Sequence, residues 1–162
     1  MSADGATTES EQAKLLKAFF LGVHTLFVEH LKDEVNVAVE AAQEPGADDI
    51  MGEVTFDGGV EGHVRIRFPR EAARAIISKY TGLPEVPDAI FGDAVGELVN
   101  VIVGRAKSSL DGGYVSMSTP RVLDGELPAR QPGDERHFVC STGFGTVWID
   151  FTATDQGQKA AA

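Results

Sequence analysis

Cysteine, tryptophan and positive charge are the scarce components of this chain. Cys140 is the single cysteine among 162 residues, which excludes an internal disulfide and any zinc cage built from several thiolates. In the segment HFVCSTG it reads as a small apolar filler of a strand, since no His or Asn partner for a nucleophile can be assigned to it. Lys and Arg number 14 against 25 Asp and Glu, for a formal net charge of -11. No segment gathers the few cations into a stripe, so nucleic acid and anionic membrane surfaces are disfavoured as partners by repulsion. Long apolar runs are missing too: LLKAFFLGVHTLFVEHL is broken by Lys17, His24 and Glu29 and cannot span a bilayer. The opening residues MSADGATTES lack the basic start and apolar stretch of a secretory signal, and the chain is read as cytoplasmic. The four histidines, His24, His30, His63 and His137, match no HExxH or other common ligand spacing, so the expectation is no metal site.

What is present suffices for one packed core, with 43% hydrophobic residues and 24% charged, and is too little for two ordinary domains. Residues 1–10 and 155–162 are small and polar and are expected to be disordered tails flanking an ordered domain over 11–154. From Glu11, the residues Leu15, Phe19, Val23, Leu26, Phe27 and Leu31 recur every three or four positions, which predicts one amphipathic helix. VNVAVEAA alternates like a first strand. MGEVTF and GHVRIRF flank DGGVE, a hairpin whose Gly58 and Gly59 can take positive φ, with Val60, Val64, Ile66 and Phe68 on one face. Pro69 opens a second helix, REAARAIISKYTG, closed by Gly82 and Pro84. The longest helix runs from about Pro87 to Leu110. YVSMSTPRVL and HFVCSTGFGTVWIDFTAT then alternate like two or three strands, separated by DGELPARQPGDER. Helices are grouped along the chain and do not alternate with strands, so the class is α+β: long helices on a largely antiparallel sheet.

The longest helix carries GELVN at residues 96–100. At roughly 100° per residue, Phe91, Ala94, Val95, Leu98 and Ile102 fall on one side, with Asp93, Glu97, Asn100 and Gly104 opposite. Glu97 and Asn100 are thus neighbours facing away from the core. An amphipathic helix needs some polar face, and the pair is compatible with nothing more than that. Gly92, Gly96 and Gly104 add information, because a glycine inside a helix costs about 1 kcal/mol relative to alanine. They open space beside the pair for a partner surface or for another closely packed helix; the sequence leaves both open. An amide side chain accepts and donates at once, so it can hold a water in a fixed orientation. That suits hydrolysis of an already activated bond, where positioning supplies most of the catalysis.

Several other motifs carry less. GFGTVW contains GxG, but it begins inside a predicted strand with no helix after it, so a nucleotide loop is not expected. No G-x-S-x-G elbow exists. Ser118 and Thr119 before Pro120 read as a strand-end bend, and Trp148 and Phe151 fall on opposite faces of one strand, leaving Trp148 to a dimer surface or to the core.

Three segments, GGVEGHVRIRFPREAARAIISKYTG, DAVGELVNVIVGRAKSSL and YVSMSTPRVLDG, together resemble in the same order the CheX-type chemotaxis phosphatases of the CheC, CheX and FliY group. The helix motif that carries the resemblance has an Asp four residues before ExxN and a Gly four residues after the Asn. The resemblance implies an α/β-sandwich type of fold in a single CheC/CheX-like domain. It implies a hydrolase acting on the aspartyl phosphate of a CheY-like response regulator in two-component signalling. By the same resemblance Asn100 orients the attacking water and Glu97 pairs with a receiver lysine. Asp93, Gly96 and Gly104 then border the partner. The resemblance further implies no cofactor of its own, with Mg²⁺ supplied by the receiver, and pairing as a homodimer. The single ExxN helix fits CheX-like members, whereas CheC has two. The alternative is a non-catalytic receiver-docking or adaptor domain in a signalling or flagellar complex.

Overall fold

The computed structural model describes residues 10–39, 44–110, 115–125, 127–128 and 135–155. The expected disordered tails lie outside these residues apart from their inner ends: Ser10 caps the first helix and Asp155 closes the last strand. Three helices pack on one seven-stranded, wholly antiparallel sheet, as the grouped helices of the sequence predict.

Helix α1 (Glu11–His24) begins where the Ser10 hydroxyl accepts the Ala13 N–H at 3.1 Å, satisfying one of the donors a helix start leaves open. The single helix expected over 11–31 is in fact two segments, because the chain widens at Thr25–His30 into a π-helix. There the Leu31 N–H reaches back five residues to the Leu26 carbonyl at 3.0 Å. The wider turn lets Leu26, Phe27 and Leu31 all enter the core, at 0%, 1% and 2% exposure. Lys32 then adopts a left-handed φ of 55°, which ends the helix.

The sheet order is β1 (Val35–Val39), β6 (Arg136–Thr142), β7 (Gly145–Asp155), β3 (Val60–Pro69), β2 (Asp49–Gly58) and β4 (Val115–Met117), with β5 (Arg121–Asp124) also paired to β2. Strands β2 and β3 form the expected hairpin, and only Gly58 of its two glycines takes the positive φ, at 105°. The end of the chain is where sequence and structure part. The expected two or three strands are four. GFG does not lie inside a strand: Gly143 and Phe144 are the tight turn joining β6 to β7, with Gly145 at φ 124°. Alternation persists through a two-residue turn, which hid the hairpin from the pattern. The Asp33 carboxylate accepts the Gly143 N–H at 2.8 Å, tying this turn to the end of the π-helix.

One face of the sheet is apolar. Ile50, Val54, Phe56, Val60, Val64, Ile66, Phe68, Phe138, Cys140, Ile149 and Phe151 join residues of all three helices in one core. Cys140 is fully buried there, and burial pushes its thiol up to about 12, which fits a filler and not a nucleophile. Helix α2 (Arg70–Thr81) ends at Gly82 with φ 79°. Helix α3 (Asp88–Ser109) buries Phe91, Val95, Leu98, Val99, Ile102, Val103 and Ala106, each large side chain stabilising the fold by about 1.5–3 kcal/mol. Two glycines elsewhere seat it. A Cβ on Gly22 of α1 would lie 2.3 Å from the Ile102 carbonyl oxygen, and a Cβ on Gly52 of β2 would lie 2.5 Å from Val99 Cγ2. The helix therefore meets α1 almost backbone to backbone and sets the Val99 side chain directly against the β2 backbone, and this fixes which side of it faces outward.

Candidate functional site

The start of α3 is held by two arginines of α2. Arg74 donates to the Asp88 carboxylate at 2.7 Å and to the Val86 carbonyl at 3.0 Å. The guanidinium groups of Arg74 and Arg70 lie over the Phe91 ring at 4.6 and 5.0 Å, and Arg70 also pairs with Asp124 of β5. With Val95, Leu98, Val99 and Ile102 buried below, the rotation of the helix about its axis is set.

That rotation exposes Asp93, Glu97, Asn100 and Gly104 in one row, the row that the periodicity predicts. Glu97 and Asn100 stand about 4.5 Å apart along the axis. Among the described residues, no hydrogen bond or ion pair holds the side chains of Asp93, Glu97 or Asn100. Their full bonding capacity is thus directed outward. The glycines divide. A Cβ on Gly92 or Gly104 would meet nothing within 4 Å, so these positions border open space and no second helix packs on them. Gly96 is half-buried, and its Cβ would sit 3.5 Å from Val122 Cγ2. It faces strand β5, where a Cβ would make only an ordinary contact, so packing does not require a glycine at this position. The close helix crossing offered as the rival explanation of the α3 glycines exists, but it is made by Gly22 of α1.

The remaining sequence candidates settle into structural roles. Ser118 makes the bend between β4 and β5, its hydroxyl accepting the Thr55 N–H and its own N–H donating to the Thr55 carbonyl, each at 3.0 Å. With Thr55, Thr119 and Arg121 it lines a shallow surface cavity of about 510 Å³ that includes no residue of α3. Phe151 is fully buried, whereas Trp148 lies on the opposite face of the sheet with the Arg67 guanidinium 4.2 Å from its ring.

That opposite face holds what sequence reasoning missed. Asp49 and Arg67 pair at 2.8 Å, Glu53 and Arg65 at 2.7 Å, and His137 and Asp150 at 2.7 Å, with Asp49, Glu53, Arg67 and Asp150 all buried. The alternation in HVRIRF was the available signal. Alternating charge reads as a solvated face, and nothing in one strand reveals that its neighbours cover it.

Among the described residues, no helix is long and apolar enough to cross a membrane. No curated protein matches the chain by sequence. The family model described as Chemotaxis phosphatase CheX matches residues 50–142. The fold is similar to crystal structures of a CheX from Desulfovibrio desulfuricans (TM-score 0.70, 21% identity, 87% of this chain and 99% of that one). It is likewise similar to CheX from Vibrio vulnificus (TM-score 0.70, 20% identity, 88% and 100%). The CheX of a CheX–CheY–BeF3–Mg²⁺ complex from Borrelia burgdorferi aligns with TM-score 0.68 and 15% identity over 87% of this chain and 98% of that one.

Proposed function

This chain belongs to the CheX family of chemotaxis phosphatases, and from that premise we propose that it hydrolyses the aspartyl phosphate of a CheY-like response regulator through Asn100 and Glu97. The observation that carries the reading is the row on α3. Two side chains of complementary chemistry stand one turn apart, exposed and unengaged among the described residues, with open helix backbone at Gly104 one turn further on. The complex of a CheX with CheY from Borrelia burgdorferi supports the choice of partner.

The acyl phosphate is already activated, so the protein has little covalent chemistry to perform and must place a water in line with the phosphorus. The Asn100 carboxamide does this without changing protonation: its oxygen accepts from the water while its NH₂ donates to the phosphoryl group or to the receiver. The Glu97 carboxylate binds a receiver lysine beside the phosphoaspartate, a charge-assisted contact that fixes the register of docking. Asp93 and Gly104 bound the contact at either end. In this proposal the Mg²⁺ belongs to the receiver. A homodimer is part of the same reading. Strand β1 stands at the sheet edge, where Val37 is 41% and Val39 78% exposed, a surface suited to pairing with a second copy. A sedimentation mass of one chain at micromolar concentration would remove the dimer from the proposal.

The test mixes the protein with a candidate receiver phosphorylated by a small-molecule donor in Mg²⁺ and follows loss of the phosphoryl group. Acceleration over the receiver's own decay is expected. Glu97→Ala is expected to weaken docking and to slow turnover together, by on the order of tenfold each, as loss of a charged contact costs. Tight binding of phosphorylated receiver without hydrolysis would instead identify an adaptor.

A further inference from the structure

The outward row of α3 is small for a docking surface. From Ile90 to Gly104 it is about 21 Å long and one helix, about 10 Å, wide. A stable protein–protein contact takes about 800 Å² from each partner, several times that footprint. A receiver that reaches Glu97 and Asn100 therefore covers what stands beside α3 as well. On one flank Gly96 faces Val122 of β5, a strand of the sheet and so a layer below the helices. On the other is α1, which meets α3 where Gly22 approaches the Ile102 carbonyl. Both helices bury residues against the same face of the sheet, so their outer sides point away from it at one height. Leu21 is one residue from Gly22 and Asn100 two from Ile102, each within about 3 Å of the crossing along its own helix. With axes about 8–10 Å apart in such a packing, Leu21 and Asn100 stand side by side on one surface.

We propose that the outer side of α1 is the second half of the receiver-docking surface, with Leu21 and Ile90 as its apolar anchors and Lys14 and Lys17 meeting the acidic rim of the receiver's phosphorylation pocket. The inference rests on the phosphatase reading above. Lys14, Lys17, Leu21 and His24 are all exposed and follow the spacing of one helix side. Leu21 is 42% exposed on a helix that already buries Leu15, Leu16, Phe19 and Val23, and Ile90, 40% exposed, begins the row that carries Glu97 and Asn100. A single exposed apolar side chain is ordinary. These two stand on the outer sides of two helices in contact, and both border the groups proposed to react. Charge supports the same partner. A pocket that holds Mg²⁺ and a phosphoaspartate is lined by carboxylates, and the α3 row offers it only Asp93 and Glu97, which suit a receiver lysine and repel the rest. The cations come from α1, a local attraction that a chain of net charge -11 lacks at long range. Lys14 lies 3.5 Å from Glu11, but the two side chains are 44% and 39% exposed, and a pair so exposed contributes little and yields to a stronger partner. Read as a sequence, this side of α1 is only the solvated side of an amphipathic helix; its place beside Asn100 depends on the crossing at Gly22.

The test follows turnover of phosphorylated receiver over a range of receiver concentrations. Leu21→Ala should raise the concentration for half-maximal turnover by on the order of tenfold, as truncating an interface anchor does, and Leu21→Asp by more. The saturating rate should stay near that of the wild type, because the contact is equal in ground and transition states. Lys17→Glu should raise the half-maximal concentration as well, more at low salt than at high. Lys79→Glu, the same charge change in the last turn of α2, should not; an equal effect there would overturn the part given to the α1 lysines. Leu21→Ala is mild enough to decide the matter if Leu21→Asp fails to fold. Leu21 and Lys17 variants that follow the wild-type curve, with Asn100→Ala inactive, would remove α1 from the surface and leave the phosphatase reading standing. If the wild type does not hydrolyse, that reading fails, and binding of a receiver loaded with beryllofluoride and Mg²⁺ decides for α1. Binding weakened by Leu21→Ala would support the surface; no binding, or binding that Leu21→Ala leaves unchanged, would overturn it.

Discussion

The two residues on which the functional reading rests are exposed, and this separates function from stability at the residue scale. Surface substitutions without partners change stability by about 0.5 kcal/mol or less, so variants of Glu97 and Asn100 should fold like the wild type. Gly104 gives a sharper separation. A Cβ there meets nothing within 4 Å, so Gly104→Ala should stabilise the isolated protein by about 1 kcal/mol through helix propensity. If the receiver surface comes close to that backbone, the same variant should raise the receiver concentration needed for half-maximal turnover. Denaturant melts beside turnover curves would check it; a stabilised variant with unchanged receiver dependence would remove Gly104 from the contact surface. Glu97 and Asn100 were legible in the sequence because the phase of an amphipathic helix can be counted. Gly96 was less so: it stands beside Glu97 in the chain yet faces Val122 of β5, a contact that depends on a strand more than twenty residues away.

At the scale of elements, α3 presents its polar row outward because two glycines on other elements let it sink between α1 and the sheet. Gly22→Ala would force a methyl group into the Ile102 carbonyl and should destabilise the fold by about 1–3 kcal/mol, the usual range for overpacking. The midpoint of urea unfolding reports it, and an unchanged midpoint would mean that the crossing is looser than described. Helix existence, the β2–β3 hairpin and its inward face were legible from periodicity, Pro69, Gly58 and Gly82. The π-helix was not, since Leu26, Phe27 and Leu31 satisfy an α-helical stripe equally well. The β6–β7 hairpin was also hidden, because GFG interrupts neither alternation nor hydrophobicity. The buried pairs of the polar face were out of reach for a further reason. Asp49–Arg67 and His137–Asp150 join residues on neighbouring strands, and register is not visible in one sequence.

As a whole the molecule carries a formal charge of -11, which gives no long-range attraction to the acidic phosphorylation pocket of a receiver. In the proposed function, recognition rests on close contacts on α3, and the reaction on the placement of one water. Asn100 therefore separates the proposed phosphatase from a docking domain, since a docking surface without it would bind and not hydrolyse. The most direct measurement is the rate of phosphoryl loss from a saturating, phosphorylated CheY-like receiver with wild type and with Asn100→Ala, receiver binding being followed in parallel. For Asn100→Ala the expected rate is lower by on the order of 10²-fold or more, each tenfold being about 1.4 kcal/mol of barrier, with binding largely kept. Turnover by Asn100→Ala equal to that of the wild type would contradict it.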